Sequence, residues 1–281
     1  MTDRDALRGK AESLRALHRP GDPIVFVNVW DCASARIVEA SGAPAVATTS
    51  AGVAFALGYA DGQHIAREEM LSAVARIAKS ISVPLTADLE AGYGSSASEI
   101  DATIRGLVAA GGVGLNLEDH VGPREAPLID RGLAVEKVRS VRRAAEAAGV
   151  PVVLNARTDS FLRGLGSAEE MLAETLWRGA AYRDAGADCV FVPGLAELAL
   201  IERIVRELRY PVNVLAGAGS PTIADLARLG VARVSLGSGP ARAALTSLER
   251  IVEELSRAGT YAGLEGIRPH SEINALMRPP T

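Results

Sequence analysis

Eight short apolar runs recur along the chain, at Ile24–Val29, Ala45–Thr49, Leu85–Asp88, Val113–Glu118, Val152–Ala156, Cys189–Val192, Val212–Leu215 and Arg233–Leu236. Each is followed by a longer stretch rich in Ala, Leu, Arg and Glu, with its apolar residues at helical spacing. Most of the runs are continuously apolar rather than alternating, the signature of parallel strands covered on both faces. Gly42, Gly111, Gly186 and Gly230 each close a helical stretch just before a run, where glycine accepts the left-handed conformation. Pro84, Pro151 and Pro211 stop helices and set an extended approach at three other entries. This alternation predicts an α/β fold of the (β/α)8 TIM-barrel type. An open doubly wound sheet would want G-x-G-x-x-G after its first strand, where Val29-Trp30-Asp31 stands instead.

An amphipathic helix over Asp3–Leu17, with Leu7, Leu14 and Leu17 on one face, precedes the first run and is expected to cap the N-terminal end of the barrel. No linker or charge block interrupts the pattern, so residues 1–281 read as one domain, with 1–20 as a leading helix and 261–281 as a tail.

Composition narrows the function classes. Thirty basic against 34 acidic residues leave a net charge of −4, which argues against a nucleic-acid binder working by bulk positive charge. Apolar content of 48% excludes a disordered chain. The longest apolar run, Gly106–Leu117, has 12 residues and is too short for a bilayer. The charged N-terminus carries no apolar signal core, and Cys32 and Cys189 read as reduced thiols, so a cytoplasmic protein is expected.

In a barrel of this type the active site forms at the C-terminal strand ends. There the second run delivers Thr48-Thr49-Ser50-Ala51-Gly52, the third Asp88-Leu89-Glu90-Ala91-Gly92-Tyr93-Gly94, the fourth Glu118-Asp119-His120, and the fifth Asn155-Ala156-Arg157-Thr158-Asp159. Carboxylates gathered on one rim repel one another unless a cation lies between them, and a hard divalent ion with oxygen ligands suits the set. Asp88 and Glu90 are two apart and would share a side in an extended segment. Arg157 would bind an anionic substrate, most plainly a carboxylate held by two parallel hydrogen bonds. Asp119, His120 and Asp159 are weaker candidates. The glycine-rich ends Gly217–Ser220 and Gly237–Pro240 are places where phosphate could sit, though glycine there also serves simply to turn strand into helix.

At these residues the sequence resembles the isocitrate lyase/phosphoenolpyruvate mutase superfamily. The likeness runs through Thr49–Gly52, Leu57-Gly58 leading to Asp61, Asp88–Gly94, Leu117-Glu118-Asp119 and Ala156-Arg157, and extends to Ala181–Asp188. It implies a Mg²⁺-dependent barrel (Mn²⁺ being the alternative ion) acting on a 2-oxo acid or small dicarboxylate. Asp88 would ligate the metal, Asp61, Glu90 and Glu118 would hold its water shell, Arg157 would bind the substrate carboxylate, and Thr49, Ser50 and Ala51 would contact the oxo acid. The resemblance also implies a homo-oligomer, a dimer or tetramer, with the 261–281 tail a candidate for exchange between subunits.

Departures from the family pattern limit the substrate. Isocitrate and methylisocitrate lyases carry K-[KR]-C-G-H shortly after the strand-four Glu-Asp, where this chain reads Gly122-Pro123-Arg124-Glu125-Ala126-Pro127-Leu128. An acid/base thiol is not replaced by alanine, so those two activities are expected to be weak or absent. The Lys and Asn that phosphonate enzymes place in that loop are missing too, leaving Arg124 as an anion contact. The expected activity is a Mg²⁺-dependent lyase or hydrolase breaking a C–C bond beside a 2-oxo acid, with Tyr93, then His120, then a metal-held water as candidate proton donors. Phosphonopyruvate-type P–C chemistry is the alternative, and a 2-oxo acid binding protein with little turnover a third reading.

Overall fold

The computed structural model describes residues 3–122 and 125–278. Eight strands alternate with helices: β1 (Ile24–Phe26), β2 (Val46–Ala47), β3 (Leu85–Asp88), β4 (Gly114–Glu118), β5 (Val153–Arg157), β6 (Cys189–Val192), β7 (Val212–Leu215) and β8 (Arg233–Ser235). The helices are α1 (Asp3–Ala16), α2 (Cys32–Ala40), α3 (Ser50–Ala56), α4 (Arg67–Ser80), α5 (Ala97–Ala109), α6 (Arg131–Ala148), α7 (Ser160–Arg163), α8 (Ala168–Asp184), α9 (Leu198–Leu208), α10 (Ile223–Arg228), α11 (Gly239–Ala258) and α12 (His270–Leu276).

All strand pairs are parallel, in the order β1-β8-β7-β6-β5-β4-β3-β2. A single bridge between Val29 and Thr48 closes the ring, with Val29 N donating to Ala47 O at 2.8 Å and Thr49 N to Val29 O at 3.0 Å. The chain therefore forms the (β/α)8 barrel that its apolar pattern predicts.

β1 and β2 are shorter than that pattern suggests, and just past the end of β1 stands Asn28. Its Oδ1 accepts from Leu236 N and Gly237 N, both at 2.9 Å, while its Nδ2 donates to Thr48 O at 2.8 Å. One side chain thus adds contacts to both neighbours of β1 beside the backbone bond from Leu236 N to Phe26 O at 3.2 Å.

The reading of the strands as continuously apolar holds for the positions that face the helices. Inside the barrel stand Thr86, Asn116, Asn155, Asn213 and Arg233, all buried. Below this polar layer, α1 packs Ala11 and Leu14 against Ile24, Phe26, Ala45, Ala47, Val113 and Val153 and plugs the N-terminal end. Gly114 is required there, because a Cβ would come within 2.7 Å of Leu14.

α11 buries only Ala241 and exposes Leu245, Leu248, Val252 and Leu255. The tail returns as α12 to its own α2, where Arg36 Nη1 donates to Leu276 O at 3.2 Å. No described helix is long and apolar enough to cross a membrane.

Candidate active site

The register of β3, β4 and β5 places Asp88 beside Asn116 and Asn116 beside Asn155 in one row. Asn155 Nδ2 donates to Asn116 Oδ1 at 2.8 Å, and Asn116 Nδ2 donates to Asp88 Oδ1 at 3.3 Å. From the other side the first residue of α3, Ser50, donates to Asp88 Oδ2 through its backbone N at 3.1 Å and its hydroxyl at 2.8 Å. Thr49 caps this helix, its Oγ1 accepting from Gly52 N at 3.5 Å. Thr48 Oγ1 accepts from Asp88 N at 2.8 Å. The Asp88 carboxylate is thus fixed by three donors from two elements at the C-terminal rim.

Two residues further along β4 and β5, the same register sets Glu118 opposite Arg157, and β6 sets Phe191 beside it. Arg157 Nη1 lies 2.7 Å from Glu118 Oε2, and the Phe191 ring is 5.7 Å from the guanidinium carbon. Asp159 holds the opposite edge, accepting from Nε at 2.6 Å and Nη2 at 2.9 Å. Burial opposes the Arg157 charge, but Glu118 and Asp159 outweigh it and keep its pKa above the usual arginine value. A guanidinium carries five N–H donors, so two remain, one on each terminal nitrogen.

After β3 the chain turns sharply. Glu90 and Tyr93 adopt φ of 50° and 56°, values unusual outside glycine. The turn is held at three successive carbonyls. Glu118 N donates to Glu90 O at 2.9 Å, the buried Lys137 ammonium donates to Ala91 O, and Thr103 Oγ1 donates to Gly92 O at 2.9 Å. Gly92, at φ 88°, packs so closely that a Cβ would meet Ile100 and Leu117 at 2.8 Å.

Six of the residues singled out from the sequence, Thr49, Ser50, Ala51, Asp61, Asp88 and Arg157, line one pocket of about 210 Å³. Its far wall is formed by Leu162, Phe191, Pro193 and Leu215. Glu90, Glu118 and His120 line a small adjoining cleft with Gln63 and Arg163. The expectation that Asp88 and Glu90 point to the same side is corrected here. β3 ends at Asp88 and the turn at Glu90 breaks the extended alternation, so the two carboxylates enter neighbouring clefts. Tyr93 packs against the core, and its hydroxyl donates to Glu90 Oε1 at 3.3 Å. Arg124 lies outside the described residues. The glycine-rich ends of β7 and β8 wall a wider cleft of about 720 Å³, and Gly237 and Ser238 at the end of β8 also line the pocket of Asp88 and Arg157.

The sequence reading named Asn155 only as part of the fifth strand end and passed over Asn28 and Asn116. A polar residue inside an apolar run was their only signal; the register sets Asn116 and Asn155 in one row with Asp88, and Asn28 ties the end of β1 to β8 and to Thr48.

The carboxylates influence one another. Burial, then the Asp88 charge, raises Asp61 above the usual carboxylate range. Burial, then Asp88 and Asp61, pushes Glu90 up to about 8. Burial raises Glu118 strongly, Arg157 acting against it. A cation near Asp88 would relieve each of these, and the donors are all oxygen, so the set fits a hard divalent ion. Among the described residues no three carboxylate, histidine or cysteine groups stand close enough to hold a metal together.

A parallel eight-stranded barrel carries Asp88, Glu118, Asp159 and Arg157 at the C-terminal ends of strands three to five. The chain belongs to the phosphoenolpyruvate mutase/isocitrate lyase superfamily: the family model for phosphoenolpyruvate phosphomutase matches residues 14–256. It is 35% identical over 260 residues to the uncharacterised protein Rv1998c of Mycobacterium tuberculosis H37Rv, covering 90% of this chain and 95% of the relative. It is 28% identical to 2-methylisocitrate lyase of Escherichia coli K12, covering 91% and 87%. A solved structure from Burkholderia cenocepacia J2315, provisionally described as a phosphonomutase, superposes with a TM-score of 0.83 at 40% identity, covering 88% and 99%. Oxaloacetate acetylhydrolase in complex with the product oxalate superposes with a TM-score of 0.84 at 25% identity, covering 95% and 93%. The chain is an enzyme of the lyase and hydrolase type that this superfamily contains.

Proposed function

We propose that the protein is a Mg²⁺-dependent lyase or hydrolase that cleaves the C–C bond next to a 2-oxo acid, an oxaloacetate-like acid or a substituted malate. The observation that carries this reading is the shared pocket of Asp88 and Arg157. It is small for a ligand site, which suits an acid of a few carbons. In this reading Asp88 holds Mg²⁺ (or Mn²⁺), and Asp61, Glu90 and Glu118 hold its waters. The bound ion would supply positive charge to the oxygen on which negative charge develops. Arg157 offers its two uncommitted N–H groups to the substrate carboxylate. Ser50 keeps Asp88 oriented, Thr49 and Ala51 line the wall, and Phe191, Leu162 and Leu215 keep water from the far side. Tyr93, or else His120, returns a proton to the departing fragment. The alanine in place of a loop cysteine argues against isocitrate and methylisocitrate as substrates.

The likeness to a phosphonomutase favours P–C chemistry as a second reading. A phosphonate, however, brings two further negative charges, and Arg157 is the one cation that lines the pocket among the described residues. The experiment that separates the two is incubation with Mg²⁺ and either oxaloacetate and alkyl-substituted malates or phosphonopyruvate. C–C cleavage products support the first reading, and release of phosphate from phosphonopyruvate the second. A chain that binds these acids without turning any over would be a binding protein.

The same reading includes a homo-oligomer in a reducing, cytoplasmic setting. Its support is the exposed apolar stripe of α11, the exposed Val25 and Val27 on and after β1, and two free cysteines, of which Cys189 is buried. We propose that α11 of a second copy covers that β1 face.

A further inference from the structure

Arg157 is held on two sides by two consecutive residues, Glu118 at the end of β4 and Asp119 just after it. Glu118 pairs with it directly, while Asp119 reaches it through Asp159. Asp119 Oδ1 accepts from Asp159 N at 3.0 Å, and Asp159 turns its carboxylate onto two nitrogens of Arg157. The other oxygen, Asp119 Oδ2, accepts from Tyr182 Oη at 2.7 Å and from Arg178 Nη1 at 3.2 Å, both on α8. Arg178 is itself fixed, donating from Nε to Glu174 Oε1 at 2.6 Å and from Nη2 to Ile129 O at 2.8 Å.

Asp119, Asp159, Arg178 and Tyr182 are all at most 3% exposed. A buried polar network of this size is a poor route to stability, since apolar residues of the same volume would do as well or better. What it does achieve is orientation. A two-point contact between guanidinium and carboxylate needs both groups coplanar, and recognition tolerates errors of only roughly 10–20°. Asp159 sets the plane of the Arg157 fork, and its own backbone is set by Asp119. None of these groups faces the pocket.

We infer that Asp119, clamped by Arg178 and Tyr182, is a positioning residue that aims the free N–H groups of Arg157 at the substrate carboxylate. The inference rests on the reading of Arg157 as the carboxylate-binding group. It requires that loosening Asp119 weaken oxo-acid binding without weakening cation binding, because Asp88 is held by a separate set of donors from Ser50 and Asn116.

The test uses the full chain carrying Asp119→Asn, whose side chain can satisfy either Asp159 N–H or the two α8 donors but not all three, and Tyr182→Phe, which removes one donor to Asp119 together with the acceptor that Arg178 Nη1 meets at 3.2 Å. Mn²⁺ binding is read alone by electron paramagnetic resonance, and oxalate binding by calorimetry at saturating Mg²⁺. Asp119→Asn should weaken oxalate by about tenfold and Tyr182→Phe by about threefold, as expected for losing a charged and a single hydrogen bond respectively. Mn²⁺ affinity should stay within about twofold of wild type in both, on the same scale of effects. A purely structural role would lower the melting temperature and leave oxalate affinity alone, or weaken both ligands together. Either result overturns the inference. If Asp119→Asn does not fold, Tyr182→Phe decides, and unchanged oxalate affinity there overturns it too. A wild type that binds no oxalate removes the parent reading and this inference together, whereas wild-type binding with unaffected variants removes this inference only.

Discussion

Asp159 and Arg157 meet fork to fork, Oδ1 on Nε at 2.6 Å and Oδ2 on Nη2 at 2.9 Å, with Asp159 fully buried beneath the pocket rim. The contact takes up one edge of the guanidinium and leaves donors for a ligand. Lysine keeps the charge but has neither the fork nor the second contact point. Arg157→Lys should therefore weaken oxalate binding by about 10- to 100-fold, roughly 1.4–2.8 kcal/mol, while Mn²⁺ binding is retained. Calorimetry with each ligand checks this. Unchanged oxalate affinity would mean that Arg157 serves only its ion pairs with Glu118 and Asp159.

Asp88 adds its charge to the burial that raises Asp61 and Glu90. Asp88→Asn removes that repulsion and keeps an oxygen acceptor for Ser50. The metal-free variant should melt no lower than wild type, yet bind Mn²⁺ at least about tenfold more weakly, as loss of a charged ligand dictates. Thermal unfolding and Mn²⁺ resonance, run side by side, test both halves. A large drop in melting temperature, in a chain whose wild type ignores Mn²⁺, would make the carboxylate cluster a structural network.

The barrel was legible because its evidence is repetitive: apolar runs, Ala/Leu/Arg/Glu stretches, and glycine or proline at the strand entries. Asp88 and Arg157 were legible because a charge at the end of an apolar run has no packing reason to be there. The carboxylate pair failed at Glu90, since no local pattern announces that a non-glycine residue will take φ 50°. That conformation depends on Glu118, Lys137 and Thr103, all distant in sequence. Asn116 and Asn155 acquire meaning only from a register that lies outside any single strand. Arg178 and Tyr182 read as ordinary helix positions until α8 is laid against Asp119.

His18 supplies a pH prediction away from the site. Its ring lies 2.9 Å from Leu14 O through Nδ1, so Nδ1 donates and Nε2 faces Arg233 at 3.4 Å as an acceptor. Burial, then the Arg233 charge, lowers its pKa to about 4. The unfolded chain takes up this proton near pH 6.5 and the folded chain does not, so stability falls as pH drops from about 6.5 to about 4. The loss reaches about 3 kcal/mol at 1.36 kcal/mol per pKa unit. His18→Asn should flatten that part of the profile. Urea unfolding at several pH values between those limits shows whether the slope belongs to His18. An identical slope in both proteins would place it elsewhere.

Leu245, Leu248, Val252 and Leu255 form an exposed apolar stripe along α11. Leu248→Glu puts a charge in its middle, which a buried interface does not tolerate. Light scattering should show the wild type as an oligomer and the variant shifted toward monomer. A wild-type monomer would contradict the subunit contact proposed for this helix.

The most direct test of the central claim is a thermal-unfolding series of the wild type with oxalate, Mg²⁺, and both together. A ligand at 100 times its Kd adds about 2.7 kcal/mol, a shift of a few degrees or more for a chain of this size. Oxalate should raise the melting temperature strongly only when Mg²⁺ is present, because Asp88 and Arg157 then hold opposite ends of one ion–acid complex. No shift with oxalate, with or without the metal, would contradict the assignment of this pocket to a 2-oxo acid.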